Sequence, residues 1–233
     1  MSFPRIFLNR QDDVAGTGTI VVIDVLRSFT TAAVALARGA RAVYAVEGID
    51  AALALGRRLE AAVTVGAVRG GDPVPEFDFG NCPAQLAEAD LACAAVVLCT
   101  AAGVRGLQRF AAAPRLYAAS LVCARATADA LRAAGADDVG FVITGEWVDR
   151  DGDEDVACAD YIEALLCNEA VAAEAFERRV RDSDFGRRFA AGTWPSLPPA
   201  DLGLAASADR FDFAMRVRRE GEYLVIRREP PAG

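Results

Sequence analysis

The sequence predicts a layered α/β fold in which a mostly parallel sheet carries helices on both faces, with a C-terminal extension. Short apolar runs rich in β-branched residues recur along the chain, and segments with helical spacing separate them. Such regular alternation is typical of a parallel sheet, because each strand returns to the sheet through a crossover helix. The 233 residues suffice for one hydrophobic core, so we expect a single domain over residues 1–233.

The elements are predicted in chain order. The run 19–25 (TIVVIDV) predicts a strand buried on both faces, residues 30–37 a helix that ends before Gly39, and residues 42–46 a second strand. The later predicted elements are helix 50–62, strand 63–65, a Gly- and Pro-rich loop 66–83, helix 81–89, strand 94–99, helix 103–112, strand 116–119, helix 124–134, strand 139–144 and helices 154–168 and 169–180. Beyond them, residues 183–199 have loop composition and residues 223–226 predict a last strand.

The composition excludes several classes of protein. A net charge of −8 and a pI near 4.7 repel a phosphate backbone, so no nucleic acid partner is expected. The chain has no histidine and its six cysteines form no CxxC pair, which disfavours zinc sites, Ser-His-Asp hydrolysis and Cys-His catalysis. The sequence contains no apolar stretch of the roughly 18 residues that a membrane helix needs, and no signal-peptide pattern. We therefore expect a cytoplasmic protein with no membrane partner.

The first candidate site follows the first predicted strand. Asp24 lies at the strand end, Arg27 follows three residues later, and Thr30 and Thr31 supply hydroxyl groups at the start of a helix. An acid, a guanidinium and hydroxyl groups at a strand end can bind a metal ion and an oxyanion. Alternatively, Asp24 caps the helix and Arg27 is a surface charge. A haloacid dehalogenase signature is disfavoured, because its second aspartate would fall at Leu26.

The second candidate site is the glycine-rich loop that begins at Arg69 and ends with residues 77–83 (FDFGNCP). Glycines permit close approach of the backbone to a ligand, and Arg69 adds positive charge. The alternative is an ordinary loop in which Asn81 caps the next helix.

The third candidate site is Cys99 followed six residues later by Arg105, directly after a predicted strand. This is the C-x5-R spacing with which cysteine-dependent phosphatases present a thiolate and bind phosphate. Two residue types six positions apart also occur together by chance, so the spacing alone is weak evidence.

The fourth candidate site is the acidic start of a long helix, with Asp153, Glu154 and Asp155. Acids at a helix N-terminus usually complement the helix dipole. If they lie next to Asp24 in space, they form an oxygen-rich site suited to magnesium.

These four sites, in this order, resemble the 2-phosphosulfolactate phosphatase family. Its members share a V-x-D-V-L-R-A-T-T-T segment, a G-E-R-G-G…G-F-D-x-G-N-S-P loop, a T-T-N-G-T segment and a late E-D-x-x-C-A-G helix. The strongest matches here are 22–27 (VIDVLR) with Thr30 and Thr31, 77–83, and 154–159 (EDVACA). The resemblance extends over nearly the whole chain.

The resemblance implies a magnesium-dependent phosphatase that hydrolyses a small sulfonated or carboxylated phosphate ester, in coenzyme M biosynthesis where that pathway exists. In this hypothesis Asp24, Glu154 and Asp155 hold Mg²⁺ directly or through water. The residues expected to be catalytic are Asp24, Arg27 and Asn81, and those expected to bind substrate are Thr30, Thr31, Arg69, Gly80 and Gly103.

The chain also departs from the family pattern. The departures are Val68 in place of the loop glutamate, Ala101, Ala102 and Val104 in the T-N-G-T segment, and Cys123 in place of an asparagine. Loss of one polar contact to a transition state costs about 2–4 kcal/mol. The alternative function is therefore a degenerate family member that binds a phosphorylated or sulfonated metabolite without catalysis. That small metabolite is the expected partner in either case, and a homodimer is an alternative to a monomer.

Overall fold

The computed structural model describes residues 3–10, 18–67 and 71–231. The strands are β1 (Arg5–Phe7), β2 (Thr19–Ile23), β3 (Ala42–Ala45), β4 (Ala62–Gly66), β5 (Phe79–Gly80), β6 (Ala95–Cys99), β7 (Arg115–Ala119), β8 (Val139–Ile143), β9 (Ala214–Glu220) and β10 (Tyr223–Glu229). The α-helices are α1 (Ser28–Ala37), α2 (Ile49–Gly56), α3 (Pro83–Glu88), α4 (Gly103–Arg109), α5 (Ala124–Ala133), α6 (Asp153–Leu166), α7 (Ala173–Asp182), α8 (Asp184–Ala191) and α9 (Pro199–Ala205). A short 3-10 turn spans Leu121–Cys123.

Within the described residues the strands form one ten-stranded sheet, in the order β1-β8-β2-β7-β9-β10-β3-β6-β4-β5. The strands β1, β8, β2 and β7 run parallel to one another, and so do β3, β6, β4 and β5. Between these halves lies the antiparallel hairpin β9–β10, which pairs antiparallel with β7 on one side and with β3 on the other. The layered α/β fold with a mostly parallel sheet is confirmed. The region after residue 181, expected to be an extension, contributes the two strands that join the halves of the sheet.

The two faces of the sheet are covered by different helices, and β2 shows how. Ile20 and Val22 pack into the layer that contains α1, α3 and α4. Val21 and Ile23 pack into the opposite layer, against α5 and α6. Every side chain of β2 is thus buried, which explains why its sequence is continuously apolar instead of alternating. At the other half of the sheet, α2 covers the second face.

The predicted elements up to residue 182 correspond to observed ones, with ends that differ by one to four residues except in the helix predicted over 50–62, which ends at Gly56. The loop predicted over 183–199 is wrong for most of its length, because Ser183 accepts a hydrogen bond from the backbone N–H of Gly186 and starts α8. The strands β1, β5 and β9 were not predicted. In β9, arginines interrupt the apolar pattern that would indicate a buried strand. No helix in the described part of the chain combines the length and the apolar character needed to cross a bilayer.

Replacement of Ile226 by alanine tests the central position of the hairpin. Ile226 has no exposed surface and packs in the core with Leu36 and Leu98. We expect Ile226→Ala to lower the free energy of unfolding by about 2–5 kcal/mol, the usual cost of truncating a buried isoleucine. Urea titration followed by circular dichroism measures this change, with Arg219→Ala on the exposed part of β9 as the control. A loss below about 0.5 kcal/mol, the level of a surface substitution, would show that the hairpin is peripheral.

Candidate active site

The carboxyl ends of the parallel strands bring the first and fourth candidate segments together. Asp24 follows β2, and its backbone N–H donates to the carbonyl of Ala119 at the end of β7. Thr144 follows β8 and donates its hydroxyl to the carbonyl of Ile23, 2.9 Å away. The loop after β8 leads directly into α6, so the acids of the first turn of α6 lie beside Asp24.

Asp155 is engaged by the backbone around it. Its carboxylate accepts hydrogen bonds from the backbone N–H groups of Val25 (2.8 Å), Thr144 (3.0 Å) and Gly145 (2.7 Å). Burial raises the pKa of Asp155 well above its usual range, the charges of Glu154 and Asp24 add to this effect, and the bonds from Val25 and Gly145 oppose it. With its oxygens occupied in this way, Asp155 joins two strand ends to α6 and has little capacity left for a metal ion.

Glu154 is in the opposite situation. Its side chain is 1% exposed, and neither carboxylate oxygen has a hydrogen-bond partner on another described residue. Burial raises the pKa of Glu154 to about 7, and the negative charges of Asp151 and Asp24 contribute in the same direction. A buried carboxyl group without partners is costly unless something binds to it, so Glu154 is a candidate for a functional position.

Asp24 lies close to Glu154 and is partly satisfied. Its Oδ1 accepts a hydrogen bond from the backbone N–H of Ser28, the first residue of α1, at 2.9 Å, although the N-cap residue of that helix is Arg27. Burial raises the pKa of Asp24, while the contacts with Ser28 and Gly103 and the charge of Arg150 oppose this shift. A side chain at Gly103 would put a Cβ atom 2.8 Å from Asp24 Oδ2, so glycine is required there for close approach.

The carboxylates allow a test of whether magnesium fits. Within residues 3–10, 18–67 and 71–231, no group of three or more His, Cys, Asp or Glu side chains is arranged to hold a metal ion. Of the three predicted ligands, only Asp24 and Glu154 have capacity left. Mg²⁺ is commonly bound by one or two carboxylates, with waters and substrate oxygens completing the octahedron. The residues therefore fit a two-carboxylate magnesium site and not a three-carboxylate one.

A pocket of about 280 Å³ lies at Arg27. Three segments line it: Arg27 itself, the loop residues 71–73 and 80–82 with Gln85, and residues 195, 196 and 198 of the C-terminal region. The Arg27 side chain is 4% exposed, and its Nη1 donates to Asp201 at 2.9 Å. Its Nη2 donates to the carbonyl of Gly71 at 3.2 Å. Arg27 is thus a buried cation at a pocket and not a surface charge.

The polar side chains predicted near Arg27 divide into two sets. Thr31 donates to Asn81 Oδ1 at 2.7 Å, and Asn81 lines the pocket together with Gly80. Thr30 instead uses its hydroxyl inside the fold, within 2.7 Å of the Val25 carbonyl and 2.6 Å of the Ser120 hydroxyl. Thr30 therefore supports the turn after β2 and does not reach the pocket surface.

The second candidate segment is described only in part. Arg69 and Val68 lie outside the described residues. Asp78 Oδ2 accepts from both the backbone N–H and the hydroxyl of Thr64, at 2.8 and 2.7 Å. These bonds fix the loop on β4, and through it the positions of Gly80 and Asn81.

The geometry disfavours the thiolate hypothesis. Cys99 packs with Val46 and Phe77 on the α2 face of the sheet, whereas Arg105 belongs to α4, which packs on the opposite face. Arg105 donates a hydrogen bond to Asn9 Oδ1. Burial raises the pKa of the Cys99 thiol, so the thiolate is disfavoured. The two residues of the C-x5-R spacing do not form a phosphate cradle.

The residues that depart from the family pattern differ in how deeply they are buried. Ala101 and Ala102 immediately precede Gly103, next to Asp24. Val104 is fully buried in the core. Cys123 is also fully buried, and its thiol donates to the Ser120 carbonyl at 3.4 Å, so this position supports the fold and does not contact a ligand.

Two charged residues near the site were not singled out from the sequence. Asp201 lies 174 positions after its partner Arg27, at the start of a helix where an acid is unremarkable. Arg150 lies in the loop before α6, and its charge lowers the pKa of both Asp24 and Glu154. The acidic cluster in the sequence indicated that a nearby cation would offset its charge, but it did not indicate which arginine supplies that cation.

A second and larger cavity of about 420 Å³ lies over the β9–β10 hairpin. Arginines and glutamates line it, among them Arg216, Arg218 and Glu229, and none of the predicted site residues does. Neither cavity is lined by Asp24, Glu154 or Asp155, and the smaller pocket is the better candidate for the active site because Arg27, Gly80 and Asn81 line it.

The sheet, the buried acids at its strand ends and the arginine pocket together define an α/β protein with a candidate site for a small anionic ligand. The sequence profile described as 2-phosphosulpholactate phosphatase matches residues 8–186, so the chain belongs to that family, which consists of phosphoric monoester hydrolases. Three relatives carry the name probable 2-phosphosulfolactate phosphatase. The Bacillus subtilis protein is 28% identical over 96% of this chain and 97% of its own length. The Synechococcus sp. protein is 34% identical over 82% of this chain and 84% of its own length. The Carboxydothermus hydrogenoformans protein is 36% identical over 72% of this chain and 66% of its own length.

The pH dependence of stability should reveal the buried carboxyl group of Glu154. Its pKa rises from 4.5 to about 7 on folding, so the folded state holds the proton more tightly. Its contribution to stability is complete below pH 4.5 and is lost as the pH rises through 7. In chelator-containing buffer, the unfolding free energy of Glu154→Gln minus that of the parent should therefore increase by about 2–3 kcal/mol from pH 5 to pH 8. Urea titrations at both pH values measure this.

The control for this measurement is Asp153→Asn, in the same turn of α6 but paired at the surface with Arg179. Its stability difference from the parent should change little with pH. Equal pH dependence of the parent and Glu154→Gln would show that Glu154 titrates normally in the folded state.

Proposed function

We propose that this protein is a magnesium-dependent phosphatase that hydrolyses a small phosphate monoester, with 2-phosphosulfolactate as the first candidate. The observation that carries the proposal is the buried, partnerless carboxylate of Glu154 next to Asp24, close to the turn that presents Arg27 to a pocket. The names of the relatives support the substrate class. In cells that make coenzyme M, the reaction would belong to that pathway.

The acidic residues have separate roles in this proposal. Asp24 and Glu154 would hold Mg²⁺, and Asp155 keeps them in place through its bonds to the backbone. When bound, the ion supplies positive charge and Lewis-acid polarisation to a phosphoryl oxygen. Because the pKa of Glu154 is about 7, its carboxyl group releases a proton as it acquires a cation, so metal affinity should increase as the pH rises through 7.

Arg27 and Asn81 would act on the ester. Arg27 has five N–H donors, of which the described contacts use two, so the others remain for phosphoryl oxygens. Its charge offsets the negative charge on these oxygens in the transition state. Thr31 donates to Asn81 Oδ1, which turns the amide N–H groups of Asn81 toward other acceptors, and the ester is the candidate acceptor at the pocket.

A second candidate function is a binding protein without catalysis. It is favoured by Ala101 and Ala102, which supply no polar group beside Asp24. Isothermal titration with 2-phosphosulfolactate and a phosphate-release assay on the same sample distinguish the two functions. Binding without release in the presence of Mg²⁺ would select the binding protein.

The metal-dependent reaction should require Glu154. We expect Glu154→Gln to lower the Mg²⁺-dependent turnover by about 100-fold or more, the usual effect of removing one electrostatic group from an active site. Asp153→Asn is the matched control and should keep the parent rate, because Asp153 pairs with Arg179 instead of facing Asp24. Phosphate release is measured with EDTA and after restoring Mg²⁺. Equal losses in both variants, or turnover indifferent to EDTA, would contradict the proposal.

The thiol of Cys99 should not be needed. Because Cys99 packs in an apolar cluster and Arg105 lies on the other face of the sheet, we expect Cys99→Ser to retain turnover within about twofold. A loss of activity of several powers of ten with normal folding would restore the thiolate hypothesis.

A further inference from the structure

One ion pair connects the C-terminal region to the candidate pocket. Asp201, in α9, is fully buried, and its Oδ2 accepts from Arg27 Nη1 at 2.9 Å. The side chains of Arg27 and Asp201 are 4% and 0% exposed. Arg27 lies within residues 8–186, which match the family profile, and Asp201 lies beyond them.

The other oxygen of Asp201 holds the start of α3. Oδ1 accepts from the thiol of Cys82 and from the backbone N–H of Ala84, both at 3.0 Å. Cys82 directly follows Asn81 in the pocket wall. One carboxylate thus links the guanidinium of Arg27 to the segment that carries Asn81.

Stability alone gives little reason for this arrangement. Removing two charges from water has a large desolvation cost, and well-packed apolar residues often stabilise a buried site as well as an ion pair does. The ion pair instead fixes the orientation of the Arg27 guanidinium. Asp201 and the Gly71 carbonyl each accept one N–H of Arg27, and the ring of Phe189 lies 5.2 Å from its guanidinium carbon. These contacts hold the guanidinium plane in one orientation at the pocket.

We propose that Asp201 is a positioning residue that orients Arg27 for the phosphate group of the ligand. The inference rests on the proposed function for the identity of the ligand. It adds that the C-terminal region completes the anion site, through Asp201 and through the pocket wall at residues 195–198.

A double-mutant cycle with inorganic phosphate as the probe tests the proposal. The full-length parent, Asp201→Asn, Arg27→Gln and the double variant are titrated by calorimetry in the presence of Mg²⁺. We expect the dissociation constant for phosphate to rise about tenfold or more in Asp201→Asn, because hydrogen bonds to charged groups have effects of this size. In the Arg27→Gln background the same replacement should change it less than about twofold, since the two residues act as a unit.

The matched control is Asp209→Asn, another aspartate of the C-terminal region that pairs with an arginine, Arg125, away from the pocket. It should lower thermal stability and leave phosphate affinity unchanged. KM and kcat for 2-phosphosulfolactate provide a second readout. Misplacement of Arg27 should alter kcat/KM in Asp201→Asn but not in Asp209→Asn.

Several results would overturn the proposal. These are unchanged phosphate affinity in folded Asp201→Asn, equal effects of the replacement with and without Arg27, or a parent that binds no phosphate. Asp201→Ser, which keeps a small acceptor near Ala84, is the second variant if Asp201→Asn does not fold. Failure of both to fold, even with saturating phosphate, would show a purely structural role. Phosphate binding that follows the expected cycle without any ester hydrolysis would refute the proposed function and leave the role of Asp201 intact.

Discussion

The site depends on the hydrogen bonds that the backbone donates to Asp155. Through them one buried carboxylate joins the end of β2, the end of β8 and the first turn of α6. Parallel strands end at the same edge of a sheet, but only such a connection determines the distance between the turns that follow them. Without it, the backbone N–H groups of Val25 and Gly145 would need other partners in a part of the molecule that water hardly reaches.

The same connection explains the unusual state of Glu154. Because Asp155 is directed into the backbone, its neighbour Glu154 lies in a buried position near Asp24, with no donor from another residue in the described part of the chain. Burial and the neighbouring acids then raise the pKa of Glu154 to about 7, and Arg150 offsets this only in part. Proteins keep such an unfavourable arrangement where a ligand or cation compensates for it. The net charge of −8 describes the whole chain, whereas Arg27 places a buried cation at the pocket.

The C-terminal region is an integral part of the sheet and of the candidate pocket. Instead of an appendage, it supplies β9 and β10, which connect two parallel half-sheets, and α9, which brings Asp201 to Arg27. Val217 and Ile226 of the hairpin pack in the same core as Val22 of β2 and Val96 of β6, so the sheet and the pocket share one framework.

The sequence by itself determined the alternation of strands and helices, the position of Asp24 at a strand end and the acidic start of α6. It could do so because each is a local pattern, namely an apolar run, a helical spacing or a cluster of like charges. Only the tertiary structure decided that Thr30 supports a turn, that Asp155 binds backbone while Glu154 has no partner, and that Asp201 pairs with Arg27. Adjacent acids in a helix point about 100° apart, and residues 174 positions apart leave no local trace of their contact. In the central hairpin, residues 223–226 of β10 were predicted as a strand, whereas β9 was missed because its arginines interrupt the apolar pattern.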